Sequence, residues 1–66
     1  MPNSYRPMFE FANNETAGNA QRFATEAEAL ASAAARFQVW TMPLGYSVEP
    51  SEDPVNYKFT DRDESL

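Results

Sequence analysis

The 66 residues contain no cysteine and no histidine. Disulfides, zinc sites of the usual Cys/His kind, thiol nucleophiles and imidazole bases are excluded together. Glycine is scarce: Gly18 and Gly45 stand alone, so there is no glycine-rich loop to cradle a phosphate. No apolar run approaches the roughly 20 residues that span a bilayer, and residues 1–6 carry no apolar signal segment. These absences lead to the expectation of a soluble, cytoplasmic protein. The length predicts a single domain over residues 1–66. Without disulfide or metal, such a chain must draw its stability from packing, with self-association as a further source.

Basic residues are also few. Ten Asp and Glu face five Lys and Arg, for a net charge of −5 and a pI near 4.4. That balance disfavours nonspecific binding to nucleic acid or to an anionic membrane. Arg6, Arg22 and Lys58, set beside sheet aromatics, would be the groups of a single-strand binder, but the net charge opposes that use. The acids concentrate at one end. Residues 49–66 hold Glu49, Glu52, Asp53, Asp61, Asp63 and Glu64 against only Lys58 and Arg62. The plainest use of such a surface is solubility.

Five Phe, three Tyr and one Trp supply apolar area in large, stiff side chains. Residues 1–4 read as a loose start. From Met8 to Ala12 the side chains alternate, with Phe9 and Phe11 on one face and Met8, Glu10 and Ala12 on the other, which is a half-buried strand. Pro7 restricts that strand to a beginning or an edge. Asn13, Asn14, Gly18 and Asn19 supply turn chemistry, and a short second strand over residues 20–23 completes a hairpin.

Thr25 with Glu28 three residues on forms a capping box, and the alanine-rich run after it has the strongest helix propensity in the chain. Glu26 and Glu28 sit at the positive end of the helix dipole. Ala27, Leu30, Ala31, Ala34 and Phe37 make one apolar stripe, predicted to face the sheet. Pro43 and Gly45 end the helix near Trp40 or Thr41. Tyr46 and Val48, then Val55, Tyr57 and Phe59, alternate with polar residues and predict a second hairpin around a turn over residues 50–54. Residues 61–66 read as a solvated acidic tail. The fold class is therefore α+β, in the order β-β-α-β-β, an antiparallel sheet with one helix packed on one face. Phe9, Phe11, Phe23, Phe37, Tyr46, Tyr57 and Phe59 are the expected core.

Chemistry is sparse. Glu26 and Glu28 are two apart on a helix and point to different faces, so they do not form a catalytic pair. Asp61, Asp63 and Glu64 are close in sequence but lack the ligand series and central glycine of a calcium loop. Neither an enzyme nor a cofactor nor a metal is expected. Trp40, Met42 and Leu44 gather around the helix end. They either close the bottom of the core or, left exposed, mark a partner surface.

The segment from Phe23 to Ala29, with Trp40 and the run from Glu52 to Tyr57, resembles small open reading frames of phages and prophages. Proteins of that kind include anti-CRISPR and anti-restriction inhibitors of host defence, some of which mimic DNA. The resemblance implies a non-enzymatic inhibitor in the cytoplasm of a bacterial host. Its partner would be a host protein with a basic nucleic-acid-binding surface, with no direct contact to nucleic acid or membrane. DNA carries a phosphate every ~3.4 Å along a strand, and alternate strand residues lie ~6.6 Å apart, so carboxylates on one face approximate a phosphate row. Glu49, Glu52, Asp53, Asp61, Asp63 and Glu64, joined by Glu10, are the candidate partner-binding residues. The alternative is a small accessory protein, monomer or homodimer, that self-associates through a sheet edge or Trp40, with its acids serving only solubility.

Overall fold

The computed structural model describes residues 2–40 and 42–66. Its central strand, β1 (Ser4–Glu10), pairs antiparallel along its whole length with β3 (Gly45–Ser51), from Ser4 opposite Ser51 to Glu10 opposite Gly45. Alternation puts Tyr5, Pro7 and Phe9 on the face that the helix covers and Arg6, Met8 and Glu10 on the other, the division the sequence predicts for Phe9 and Glu10. Residues 3 and 4, expected to be loose, are held: Asn3 donates its N–H to the Ser51 carbonyl at 3.0 Å. The Ser4 hydroxyl, fully buried, donates to the Asp53 carbonyl at 2.7 Å. Met1 and Thr41 lie outside the described residues.

The second strand is not at residues 20–23. Asn13 and Asn14 both adopt positive φ, 69° and 62°, a conformation Asn tolerates. They reverse the chain within a 3₁₀ turn, Ala12–Asn14. Residues after the turn therefore meet β1 at once: the Phe11 N–H donates to the Glu15 carbonyl at 2.8 Å, and β2 (Thr16–Gly18) pairs with Met8 through Glu10. Gly18 permits that approach, since a Cβ there would stand 2.7 Å from Met8 Sδ and 3.3 Å from the Pro7 carbonyl.

Beyond Gly18 the chain leaves β1 and returns for one residue. Phe23 exchanges both main-chain hydrogen bonds with Tyr5, each 2.8 Å, and bridges in parallel to Tyr57 of β4 (Tyr57–Phe59). Pro7 falls in the gap between the β2 ladder and this bridge. It is fully buried in the middle strand, yet its missing N–H costs no ladder bond, which is why an interior position is tolerated.

The helix α1 (Glu26–Val39) starts where the capping residue predicts, with Thr25 Oγ1 accepting from the Glu28 N–H at 3.1 Å. On the other side of the capping box, Glu28 Oε2 is buried without a hydrogen-bond partner. The buried face is also not the expected stripe. Ala29, Ser32 and Ala33 are buried, whereas Ala27 is exposed and Leu30 is 45% exposed. The helix is rotated by a polar attraction, since the Ser32 hydroxyl and Arg36 both bond Asp63 beneath it. After Val39, Trp40 turns extended and its ring packs edge-on against Phe9 and Phe11, centroids 5.2 and 5.5 Å away.

The predicted second hairpin does not form. β3 takes β1 as its partner, and β4 pairs instead with β5 (Asp63–Ser65), drawn from the segment expected to be a solvated tail. Seven matched residues along β1 outweigh a local hairpin whose turn holds two prolines, Pro50 and Pro54. The protein is α+β, one helix over small antiparallel sheets of order β2-β1-β3 and β4-β5. Of the seven aromatics expected in the core, only Phe9 and Phe23 are buried; Met8, Ala29 and Ala33 are buried as well. Phe11, Phe37, Tyr57 and Phe59 are half-buried, and Tyr46 is exposed.

Phe23 joins both sheets and fills the space between them. Truncating a buried Phe costs about 3–5 kcal/mol, and a domain of this size has about that much in total. Phe23→Ala is therefore expected to abolish the cooperative urea transition seen for the native chain, whereas Phe59→Ala leaves a transition at a lower midpoint.

Candidate functional site

The seven carboxylates proposed as one surface take different positions and partners. Glu49 pairs with Arg6 across the β1 and β3 ladder at 2.8 Å. Asp53 pairs with Arg22 at 3.0 Å, Asp63 with Arg36 at 3.2 Å and Glu64 with Lys58 at 3.9 Å. Glu10, Glu52 and Asp61 have no ion pair among the described residues. Glu10 sits at the opposite end of the ladder from Glu52, about 20 Å along the strand direction at ~3.4 Å per residue. The three acids without cations therefore do not line up as a phosphate row. The cations Arg6, Arg22 and Lys58 are likewise each held by a carboxylate.

Neighbouring acids of β5 diverge for a simple reason. Asp63 lies opposite Phe59 and Glu64 opposite Lys58, and alternation sends these pairs to opposite faces. Asp63 turns under the helix and accepts hydrogen bonds from Gln21 Nε2 at 2.9 Å, Ser32 Oγ at 2.7 Å and Arg36 Nη2 at 3.2 Å. Ser32 is only 2% exposed, so Asp63 acts as its internal partner. Glu64 faces outward to Lys58 and to the Thr60 hydroxyl, 2.8 Å away. Among the described residues no three His, Cys, Asp or Glu side chains converge into a metal-holding group.

Asp53 is also bound into the fold. Arg22 donates Nε to Asp53, and its Nη1 donates to the carbonyls of Asn19 and Gln21. Asn56 reinforces this stitch by accepting the Arg22 N–H at 2.7 Å and donating to the Ala20 carbonyl at 2.9 Å. The hydrogen bond with Arg22, followed by that with Ser51, holds the Asp53 carboxyl below the ordinary aspartate value of 3.8, against an opposing effect of desolvation.

The surface that stays open lies at the other end of β1. Met42 is 70% exposed, Leu44 71% and Trp40 38%; the Trp40 ring rests on Phe9 and Phe11. The Leu44 N–H donates to the Glu10 carbonyl at 2.7 Å, which fixes Leu44 beside the β1 terminus. Beside Leu44 opens a cleft of about 330 Å³, lined by Glu10, Phe11, Asn14, Glu15, Thr16 and Leu44. Two carboxylates without cations thus stand over two apolar walls, an arrangement that accepts the alkyl stem and charged head of a Lys or Arg side chain.

The sequence singles out Trp40, Met42 and Leu44 as a possible partner surface but misses Glu15. The signal is present in Asn13 and Asn14: a tight reversal at those residues brings Glu15 back opposite Phe11. Comparison with known proteins yields no match, whether to a family model, to a curated protein or to a solved structure. Among the described residues no helix is long and apolar enough to cross a membrane.

Two adjacent acids should behave oppositely. Asp63→Ala leaves the Ser32 hydroxyl and Arg36 without their partner and is expected to cost about 2 kcal/mol in urea unfolding, while Asp61→Ala stays within about 0.5 kcal/mol. Because the folded Asp53 carboxyl titrates below its unfolded value, its contribution is complete above that unfolded value and is lost as pH falls through the folded one. Asp53→Asn is therefore expected to flatten the acid limb of the stability curve below about pH 4, and carboxyl NMR titration should place Asp53 below 3.8 in the native chain.

Proposed function

We propose that this chain is a non-catalytic protein-binding module that engages a basic partner through the face formed by Trp40, Met42, Leu44 and the cleft between Glu10 and Glu15. The observation that carries this reading is an exposed apolar surface, built where Trp40 packs edge-on against Phe9 and Phe11, with two carboxylates at its rim that have no ion pair among the described residues. A partly open Trp is a favoured residue at a contact centre, and the exposed Met42 and Leu44 add apolar surface of the kind that marks an interaction site. The flanking acids select a basic partner and speed its approach, with a rate that falls as salt rises.

A nucleic-acid-handling protein with a Lys/Arg-lined channel is one partner of this description, and inhibition of such a protein would follow from covering its basic surface. The acids of residues 49–66 give that idea little support, because four of them are engaged with the protein's own cations or polar groups. The contact moves to the Trp40 end, and the partner class stays the same.

Peptides carrying Lys or Arg beside an aliphatic or aromatic residue, titrated by calorimetry at low and moderate salt, test this reading. Binding is expected to weaken about tenfold or more in Leu44→Ser and in Glu15→Gln, with little change in the double variant Glu52→Lys, Asp61→Lys. The reverse pattern would return the contact to the acidic last third. No measurable binding of any such peptide to the native chain would overturn the proposal.

A further inference from the structure

The ladder between β1 and β3 leaves a long main-chain edge open. Tyr5 turns its N–H and C=O away from β3 and onto Phe23, so the residues of β1 that bond β3 are Ser4, Arg6, Met8 and Glu10, opposite Ser51, Glu49, Ser47 and Gly45. By the same alternation, Tyr46, Val48 and Pro50 direct their main-chain polar groups away from β1. Among the described residues no other strand pairs with β3. An unpaired edge of this kind is a template for another strand.

Beside that edge runs the apolar stripe of the helix. Ser32 and Arg36 lean toward β5 through Asp63, whereas Phe37 leans toward β3, its ring 5.1 Å from that of Tyr46. Leu30 and Ala34, seven and three residues before Phe37, share its side of the helix. This is the stripe that the sequence marks as core-facing, and the rotation of the helix has carried it off the core. The segment is also nearly free of charge. Residues 42–51 contain one ionisable acid, Glu49, and Arg6 holds it. In a chain of net charge −5, two copies can meet here with little like-charge repulsion.

We infer that a second copy of this chain docks on the β3 edge, strand antiparallel to strand, about a twofold axis through Ser47. In this register Tyr46 and Val48 of one copy exchange reciprocal hydrogen bonds with Val48 and Tyr46 of the other, satisfying all four groups on each edge. Their side chains meet as an aromatic and β-branched pair, a favourable cross-strand combination. Pro50, which has no N–H, lies just past the paired segment and ends it. Glu49 falls opposite Gly45, so no carboxylates face each other. The two β2-β1-β3 sheets become one continuous sheet. Both helices then lie on the same face, with Leu30 and Ala34 of each copy turned toward the other across the axis. The contact is isologous, as a closed dimer requires.

This inference goes beyond the proposed partner face, whose Glu15 lies across β1 from the paired edge. Sedimentation equilibrium from micromolar to about 1 mM protein is expected to show the mass rising from 7.4 kDa toward twice that value. Leu30→Glu, at an exposed position, and Val48→Pro, which removes an N–H not used by the β1 ladder, should each raise the dissociation constant at least tenfold, by about 1.4 kcal/mol or more, with unchanged circular dichroism. In the dimer the Tyr46 and Val48 amides should exchange slowly with deuterium and on dilution quickly. A native chain that stays at 7.4 kDa, a dimer untouched by Leu30→Glu, or fast exchange at Tyr46 and Val48 in the dimer overturns the inference. Because of that placement, Glu15→Gln leaves this dimer intact and the two proposals fail separately.

Discussion

The exchange of main-chain hydrogen bonds between Tyr5 and Phe23 is the constraint on which the rest of the molecule depends. It is a strand of one residue, and it does three things. It bridges the two sheets by linking β1 to β4. It places the Phe23 ring, with no exposed surface, in the core beside Tyr57. It also turns the polar groups of Tyr5 away from β3, and so decides which residues of β3 face outward. An edge open at Tyr46 and Val48 is a consequence of a bridge on the far side of β1.

With so few apolar residues buried, polar side chains share the work of holding the loops. Arg22 clamps the turn over residues 19–21 to Asp53, Asn56 ties the same turn to β4, and Asp63 fastens β5 to the helix through Ser32 and Arg36. A short chain without disulfide or metal has little core to spare, and charge-assisted hydrogen bonds of this kind are the stronger sort. The acids of the last third are thereby committed mainly to the fold. Of the acids that have no ion pair among the described residues, Glu10 and Glu15 stand beside the exposed Leu44, and contact with another protein is the reading those two features support together.

Some of this is legible along the chain. Thr25 and the alanine run specify where the helix begins, Trp40 and Pro43 where it ends, and the alternation around Phe9 specifies a strand with one apolar face. Each of these signals acts over a few residues. The partner of each strand is not legible in the same way. Tyr46 and Val48 look like half of a local hairpin with Tyr57 and Phe59, yet they pair with β1, some forty residues earlier in the chain. Nor does the stripe of Ala27, Leu30, Ala31, Ala34 and Phe37 reveal which helix face is buried. A single carboxylate beneath the helix, Asp63, outweighs it by bonding Ser32 and Arg36. Hydropathy patterns record which residues prefer to leave water, and they are silent on a hydrogen bond formed between residues 31 positions apart.

The sequence by itself determined the composition class, the α+β alternation, the helix and its cap, and the absence of thiol and imidazole chemistry, because all of these follow from side-chain identity and short-range spacing. Tertiary structure decided which acids are neutralised, which strand edges are paired and which apolar residues remain in water. Those outcomes depend on pairs of residues brought together from distant parts of the chain: a carboxylate is free or engaged only relative to the cation the fold puts next to it. Glu49 and Glu10 are alike in sequence, and only the presence of Arg6 beside the first makes one a strut and leaves the other available to a partner.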